Sequence, residues 1–330
     1  MSRATLVPGA AAPVEYLRLS VTDRCNLRCR YCQPIQGAVL IPRRDILSFE
    51  EMERLVGLFT RLGIRKVRLT GGEPLVRRGL AGFVRRLCRL PGLEEVVLTT
   101  NGVFLAQQAQ ELKAAGLGRV NISLDSLKPQ RLAQITGRDC FDQVWRGIQA
   151  AEEVGFSPLK LNVVVMKGIN HDEIPDFVEL ARKKPYFIRF IEYMPVGHHN
   201  RWSDQLFLDT ESTLQRVSRL CRLVPVSRRG LDGPARSFRI QGGRGGIGFI
   251  SPVSDHFCNQ CNRLRLTPEG HLRTCLFSDQ EADLRAPLRA GCSDEQLMEI
   301  MEAAILKKRS LNTENNPSRG CRRPMYNIGG

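Results

Sequence analysis

The sequence predicts an α/β chain: an incomplete (βα)6 barrel of the TIM type, followed by a smaller C-terminal region that closes it. Six β-rich segments occur in order, at Tyr16–Val21, Lys66–Thr70, Glu95–Thr100, Arg119–Leu124, Leu159–Val165 and Phe187–Tyr193, with stretches of helix length between them. Strands alternating with helices build parallel βαβ units, and six units stop short of the eight that close a full barrel. After Tyr193 the texture changes to a loop-rich stretch with only short β-like pieces. The expected divisions are a flexible arm at 1–13, a barrel at 14–225 and a C-terminal region at 226–330. A chain of 330 residues is long enough to bury roughly 75% of the surface that its unfolded form exposes.

Within the barrel, Ser48 and Glu51 form a capping-box signature (S-x-x-E) for a helix that ends at Gly63. Phe104–Gly116, Phe141–Gly155 and Asp172–Lys184 are further helices by the same reasoning. The strands carry cations that parallel strands usually lack, because both of their faces are covered. Arg18, Arg68, Lys160 and Arg189 interrupt apolar runs, and Lys66 shares a face with Arg68. A buried cation needs a partner. Either each finds a carboxylate, or together they line a cavity that holds an anion. Ser237–Ile240 and Ile247–Ile250 are short strands. Gly243–Gly248 satisfies G-x-G-x-x-G but precedes Phe249-Ile-Ser-Pro252, which cannot open a helix, so a hairpin turn is expected. Ser293–Lys308 is an amphipathic helix with Ser293 and Gln296 as its capping box, and Asn312–Gly330 is polar and expected to be flexible.

Composition narrows the function. Hydrophobic content of 42% and charged content of 25% suit a soluble globular protein. No apolar run approaches the roughly 20 residues of a membrane helix, and the first dozen residues lack the pattern of a secretory leader, so a cytoplasmic location is expected. Lys and Arg number 49 against 34 Asp and Glu, a net charge of +15 that attracts polyanions. Aromatic content is 6%, with no aromatic-interleaved basic stripe, which speaks against single-strand nucleic acid. Eleven cysteines, an odd number in short-range patterns, point to metal sites in a reducing compartment. Cys88, Cys140, Cys221, Cys292 and Cys321 are scattered and read as small buried hydrophobes.

The remaining six cysteines form two sets. Cys25, Cys29 and Cys32 stand as C-x3-C-x2-C directly after the first strand. A zinc knuckle or three unconnected thiols is the plainer alternative; as ligands of an iron–sulfur cluster, three thiolates for four irons leave one iron open to a ligand. Cys258, Cys261 and Cys275 stand as C-x2-C-x13-C, and on spacing alone they suit zinc completed by His271 as well as iron–sulfur. Arg263 and Arg265 alternate beside Cys261, as paired forks that grip phosphate would.

The first set, on a loop after the first strand, resembles the radical S-adenosylmethionine (radical SAM) enzymes, whose open iron chelates S-adenosylmethionine before reductive cleavage to a 5′-deoxyadenosyl radical. The stretches SVTDRCNLRCRYC, VRLTGGEPLVRR, TTNG, NISLDSL, RFIEYMPVG, FCNQCNRLRLTPEGHLRTCLF and the terminal Gly-Gly together resemble the GTP 3′,8-cyclases of molybdenum cofactor biosynthesis, from about Tyr16 to Gly330. Gln33 and Tyr326-Asn327 depart from the family pattern without removing a metal ligand.

The resemblance implies that Cys25, Cys29 and Cys32 hold a [4Fe–4S] cluster and that Tyr31, Gly72, Ser123 and Met194 contact S-adenosylmethionine. It implies that Cys258, Cys261 and Cys275 hold a second [4Fe–4S] cluster facing the guanine. Arg18, Lys66, Arg68, Thr99, Lys160, Arg263, Leu264 and Arg265 then bind GTP, while Gly329 and Gly330 thread into the site and assist the radical step. The implied partners are a low-potential electron donor, a downstream pyranopterin monophosphate synthase and a second copy of the chain, with no nucleic acid and no membrane. Two rival readings are a radical SAM enzyme that modifies a peptide and a basic zinc protein that binds nucleic acid.

Overall fold

A computed structural model of the chain describes residues 13–33, 37–197, 203–227, 231–258, 261–311 and 321–329. Six parallel strands form its centre: β1 (Tyr16–Ser20), β2 (Lys66–Thr70), β3 (Glu95–Thr100), β4 (Arg119–Ser123), β5 (Leu159–Val165) and β6 (Tyr186–Glu192). Helices α1 (Phe49–Arg61), α2 (Leu80–Leu87), α3 (Leu105–Ala114), α4 (Pro129–Thr136), α5 (Phe141–Glu153) and α6 (Ile174–Lys183) connect them. The capping box of α1 is present, with Glu51 N–H donating to Ser48 Oγ at 3.1 Å and Ser48 N–H to Glu51 Oε2 at 2.7 Å. Its Met52, Leu55, Val56 and Phe59 then form one buried stripe.

The C-terminal half extends this sheet at both edges. It contributes α7 (Thr210–Ser218), β7 (Leu223–Pro225), β8 (Arg236–Ile240), β9 (Gly246–Ile250), β10 (Arg263–Leu266), β11 (His271–Arg273) and β12 (Ala282–Asp283). Helices α8 (Arg285–Arg289), α9 (Asp294–Leu311) and α10 (Met325–Ile328) complete it. β9 joins β6 in parallel and β10 joins β1 in parallel, so the order runs β12-β11-β10-β1-β2-β3-β4-β5-β6-β9-β8-β7 without closing. This is a partial barrel, as the alternation predicts. Among the described residues, no helix is long and apolar enough to cross a membrane.

Period-two alternation sorts the two faces of the sheet. Leu17, Leu19, Val67, Leu69, Leu98, Ile122, Leu161, Ile188, Leu264 and Leu266 belong to the apolar core against the helices. The intervening residues of the same strands, among them Arg18, Arg68, Thr99, Asn121, Lys160 and Arg189, therefore share the lumen face.

Several expectations change. α7 lies inside the stretch read as loop-rich, with Asp209 capping it through Ser212 N–H at 2.7 Å. α2 and α4 were not foreseen, since each has only eight residues and no side-chain cap. The glycine-rich stretch is a hairpin turn between antiparallel β8 and β9, as expected. Cys88 is exposed rather than buried, because it caps the surface end of α2, and Cys221 and Cys292 are only half-buried. Within the end expected to be flexible, the described part at 321–329 is packed, with Cys321, Tyr326 and Ile328 buried. Residues 1–12 of the expected arm, and 312–320 and Gly330 of the expected flexible end, lie outside the described residues.

Candidate active site

Strand direction places the two cysteine sets at opposite ends of one lumen. Cys25, Cys29 and Cys32 follow the C-terminal end of β1, whereas Cys261 stands just before the first residue of β10, which runs parallel to β1 with Arg263 beside Tyr16. β11 returns antiparallel to β10, so Cys275, two residues beyond it, comes back to the end where Cys258 and Cys261 lie.

At the first end, two motif segments lock the cysteine loop. Buried Glu73 of GGEP accepts from Thr100 Oγ1 (2.6 Å) and from the backbone N–H groups of Asn101 (2.7 Å) and Leu75 (3.0 Å). Asn101 of TTNG passes this order on, donating to Asn26 Oδ1 at 2.8 Å and to Cys25 Sγ at 3.9 Å. Gly72 N–H donates to Thr22 O at 2.7 Å, and a Cβ on Gly72 would lie 2.3 Å from Arg24 O, so only glycine lets the two loops meet. Tyr31 donates to Asp125 Oδ2 at 2.7 Å.

The three thiols oppose one another's ionisation. Burial raises Cys25 to about 11 with help from the Glu73 carboxylate, and burial plus Cys25 raises Cys32 to about 12. Burial, Cys32 and Asp125 push Cys29 well up. A set of mutually repelling thiols fits a cationic group, since coordination deprotonates a thiol outright. Among the described residues, no three His, Cys, Asp or Glu groups sit as tightly as one metal ion requires. A cluster instead spreads its thiolates over separate irons.

The lumen between the ends is lined by cations. Lys66 is neutralised by Glu95 (2.7 Å), which also takes Arg119 Nη2 at 2.6 Å, so these two cations find the carboxylate that one expectation required. Arg68 donates to Thr99 Oγ1 at 3.0 Å and to the Tyr16 hydroxyl. With its amide oxygen turned toward them, Asn121 accepts from Arg68 Nη1 (2.6 Å) and Arg189 Nη1 (3.0 Å). Burial and the neighbouring cations lower Lys160 to about 6, Arg189 to about 9 and Arg18 to about 10, and Asp232 and the Tyr16 hydroxyl only partly offset this. An anion in the lumen would reverse those shifts.

The chain end enters the same space. Gly329 O accepts from Arg265 Nη1 at 2.8 Å and from Arg18 Nε at 3.2 Å. Met194 packs with Val196, Cys321, Ile328 and Met325, and the Tyr326 backbone hydrogen-bonds the Cys32 thiol. Ser123 closes β4 beside Asn162. Leu264 sends its side chain into the core, so only its backbone is available to the lumen.

At the second end, burial raises Cys258, and Cys275 and Cys261 add to the rise. Cys261 differs: burial pushes it up, but Arg263 and Lys308 outweigh burial and bring it down to about 6. Buried Lys308 of α9 donates to Cys261 Sγ at 3.5 Å and to Thr274 O at 2.7 Å. His271, considered as a fourth zinc ligand, faces Glu281 at 3.9 Å. Sequence reasoning missed Tyr16, Glu95, Arg119, Asn121 and Lys308. Tyr16 shares β1 with Arg18, whereas Glu95 stands in β3 and Arg119 and Asn121 in β4, strands without a flagged cation; the period-two rule would have placed all four on the lumen face.

The partial barrel and the three-thiol loop after β1 define the class, and a family model for the radical SAM superfamily matches residues 19–181. A second model, Molybdenum Cofactor Synthesis C, matches residues 186–313. The chain is 49% identical over 319 residues to a Moorella thermoacetica protein named GTP 3′,8-cyclase, covering 96% of this chain and 98% of that one. It is 47% identical over 323 residues to a Gloeobacter violaceus protein of the same name, covering 96% and 99%. The chain belongs to the GTP 3′,8-cyclase family. Streptococcus suis SuiB bound to S-adenosylmethionine shares the fold, with a TM-score of 0.59 at 14% identity over 95% of this chain and 77% of that one.

Proposed function

We propose that the chain is a GTP 3′,8-cyclase, which joins C3′ of the ribose to C8 of guanine in the first step of molybdenum cofactor biosynthesis. The observation that carries this reading is the buried row of lumen cations between two sets of three cysteines. Cys25, Cys29 and Cys32 would hold a [4Fe–4S] cluster, with Tyr31, Gly72, Ser123 and Met194 around S-adenosylmethionine. Cys258, Cys261 and Cys275 would hold a second cluster. When bound, the first cluster supplies the electron and the open coordination site that cleave S-adenosylmethionine.

The chain's own residues bind and orient. Arg18, Arg68, Lys160, Arg263 and Arg265 surround the triphosphate, Thr99 and the Leu264 backbone add neutral contacts, and Lys66 helps while paired with Glu95. Fixing C3′ beside the reacting centre is worth roughly 7–11 kcal/mol when the orientation is right. The strap at 321–329 brings the Gly329 carbonyl to Arg18 and Arg265, and Gly329 and Gly330 would assist the radical step. A low-potential donor supplies electrons, a pyranopterin monophosphate synthase takes the product onward, and the enzyme works in the cytoplasm as a homodimer.

Metal analysis tests the paired-cluster part of this reading. Anaerobically reconstituted protein should carry about eight irons, and the combined Cys258→Ala, Cys261→Ala and Cys275→Ala variant about four. That variant should still cleave S-adenosylmethionine but not cyclise GTP. Zinc in place of iron at the second set would overturn the second cluster.

A further inference from the structure

A cleft of about 960 Å³ lies outside the strand lumen, between the end of β1, the turn at Arg43–Asp45 and the segment after GGEP. Six arginines line it (Arg24, Arg43, Arg44, Arg77, Arg78 and Arg289) against one acid, Glu51. Three of them build its wall. Arg24 pairs with Asp23 at 2.5 Å, Arg289 with Glu51 at 2.7 Å, and Arg77 lies 4.0 Å over the Phe49 ring while donating to Leu47 O at 2.8 Å. Arg43, Arg44 and Arg78 are different. They are exposed at the rim, and among the described residues their side chains make no hydrogen bond or ion pair.

A second cleft of about 400 Å³ shares Arg24 and Val76 with the first and has Cys25 in its wall. The two clefts therefore meet at Arg24 and Val76, and a thiol of the first set, Cys25, borders the second. On the reading proposed above, an electron must enter the cluster from outside, and this border is a short route to it.

We propose that the rim formed by Arg43, Arg44 and Arg78 is the docking surface for an acidic one-electron carrier protein seated over Cys25. Each encounter moves one electron from the carrier to the cluster; the carrier is oxidised by one electron, and no bond or proton is exchanged. Opposed charge steers such a partner and speeds its arrival. A second copy of this chain presenting the same arginine rim would be repelled here, so a homodimer would form through another face. Apolar Val21, Ile46, Leu47 and Val76 interleave the arginines, where a nucleic-acid groove would present aromatic faces for stacking. The inference rests on the cyclase reading.

The test replaces Arg43, Arg44 and Arg78 together by Glu, with a matching Gln variant as a milder control on folding. Oxidised flavodoxin is the binding probe, titrated at low salt into holoenzyme, and reduced flavodoxin or dithionite then drives 5′-deoxyadenosine formation. The expected result is a flavodoxin Kd raised at least about tenfold in the Glu variant and less in the Gln variant, with the flavodoxin-driven rate falling in step. The dithionite-driven rate should stay within about twofold, because a small reductant needs no docking surface. Unchanged flavodoxin affinity would overturn the proposal, as would equal losses with both reductants. So would a substitution that abolishes binding of a short RNA duplex while leaving flavodoxin binding intact. If wild-type enzyme made no 5′-deoxyadenosine even with dithionite, the cyclase reading itself would fail, and the binding arm would still report on the surface.

Discussion

Arg265 donates from Nη1 to the carbonyl of Gly329 at 2.8 Å, which ties a buried strand cation to the end of the chain 64 residues later. Gly329 has φ +71°, and a Cβ there would lie 2.4 Å from Thr70 Oγ1. Both facts demand glycine. Gly329→Ala should lower kcat for GTP cyclisation at least about tenfold, because a small displacement of a positioning element is costly. Iron content and S-adenosylmethionine binding should not change. Product analysis beside iron quantitation checks this.

The strap before Gly329 is clamped by charge. Arg323 bridges Glu281 at 2.9 Å and Glu269, while buried Arg273 bridges Glu281 and donates to Cys321 Sγ at 3.0 Å. Hydrogen bonds to charged groups contribute roughly 1.5–3 kcal/mol each, so Arg323→Ala should open the strap about tenfold to a hundredfold more often. Alkylation of Cys321, followed by mass spectrometry of the native protein, should speed up by that factor. Alkylation of Cys88, far from the strap in sequence and already exposed, should not.

Lys160 gives the pH prediction. Burial and Arg189 lower it to about 6, so near pH 7.5 it is mostly neutral in the free enzyme. A bound triphosphate favours the ammonium and raises that value. GTP binding should therefore take up close to one proton at pH 7.5, and affinity should weaken as pH rises above 6. Below about 6 the lysine is already charged and the dependence should vanish. Calorimetry in buffers of different ionisation enthalpy reads the uptake directly, and Lys160→Met should abolish it. The same shift has a sign for folding: the unfolded chain, with lysine near 10.4, binds more protons between about 6 and 10, so this group makes stability rise with pH there.

Gly72→Ala addresses the opposite end. Its Cβ would meet the backbone at Arg24 O (2.3 Å) and Asp23 O (2.8 Å), neither of which a side-chain rotation relieves. The cysteine loop must shift. Reconstituted iron at the first set and uncoupled S-adenosylmethionine cleavage should both fall, whereas GTP affinity measured on the cluster-free protein should be retained. Undiminished cleavage would show that the close approach of the two loops is dispensable.

The sequence makes legible whatever depends on neighbours along the chain. The Ser48–Glu51 box, the six strands and the two cysteine spacings are local patterns, and the structure places all of them. Pairings set by register are not local. Glu95 joins Lys66 and Arg119 only because β2, β3 and β4 are adjacent, and Asn121 joins Arg68 and Arg189 across the lumen. The strap was misread as flexible because Cys321, Met325, Tyr326 and Ile328 are too few and too close for any periodicity, although their apolar character was the available signal. Lys308 was hidden for the same reason, since only the docking of α9 brings it to Cys261.

Transfer of the C3′ hydrogen is the most direct measurement of the central claim that the lumen holds GTP with its ribose at the radical. GTP carrying deuterium at C3′ should be incubated anaerobically with the reconstituted protein, S-adenosylmethionine and a strong reductant, and both products weighed. The account predicts that 5′-deoxyadenosine gains the deuterium and that a cyclised nucleotide appears with it. Unlabelled 5′-deoxyadenosine beside intact GTP would contradict the account.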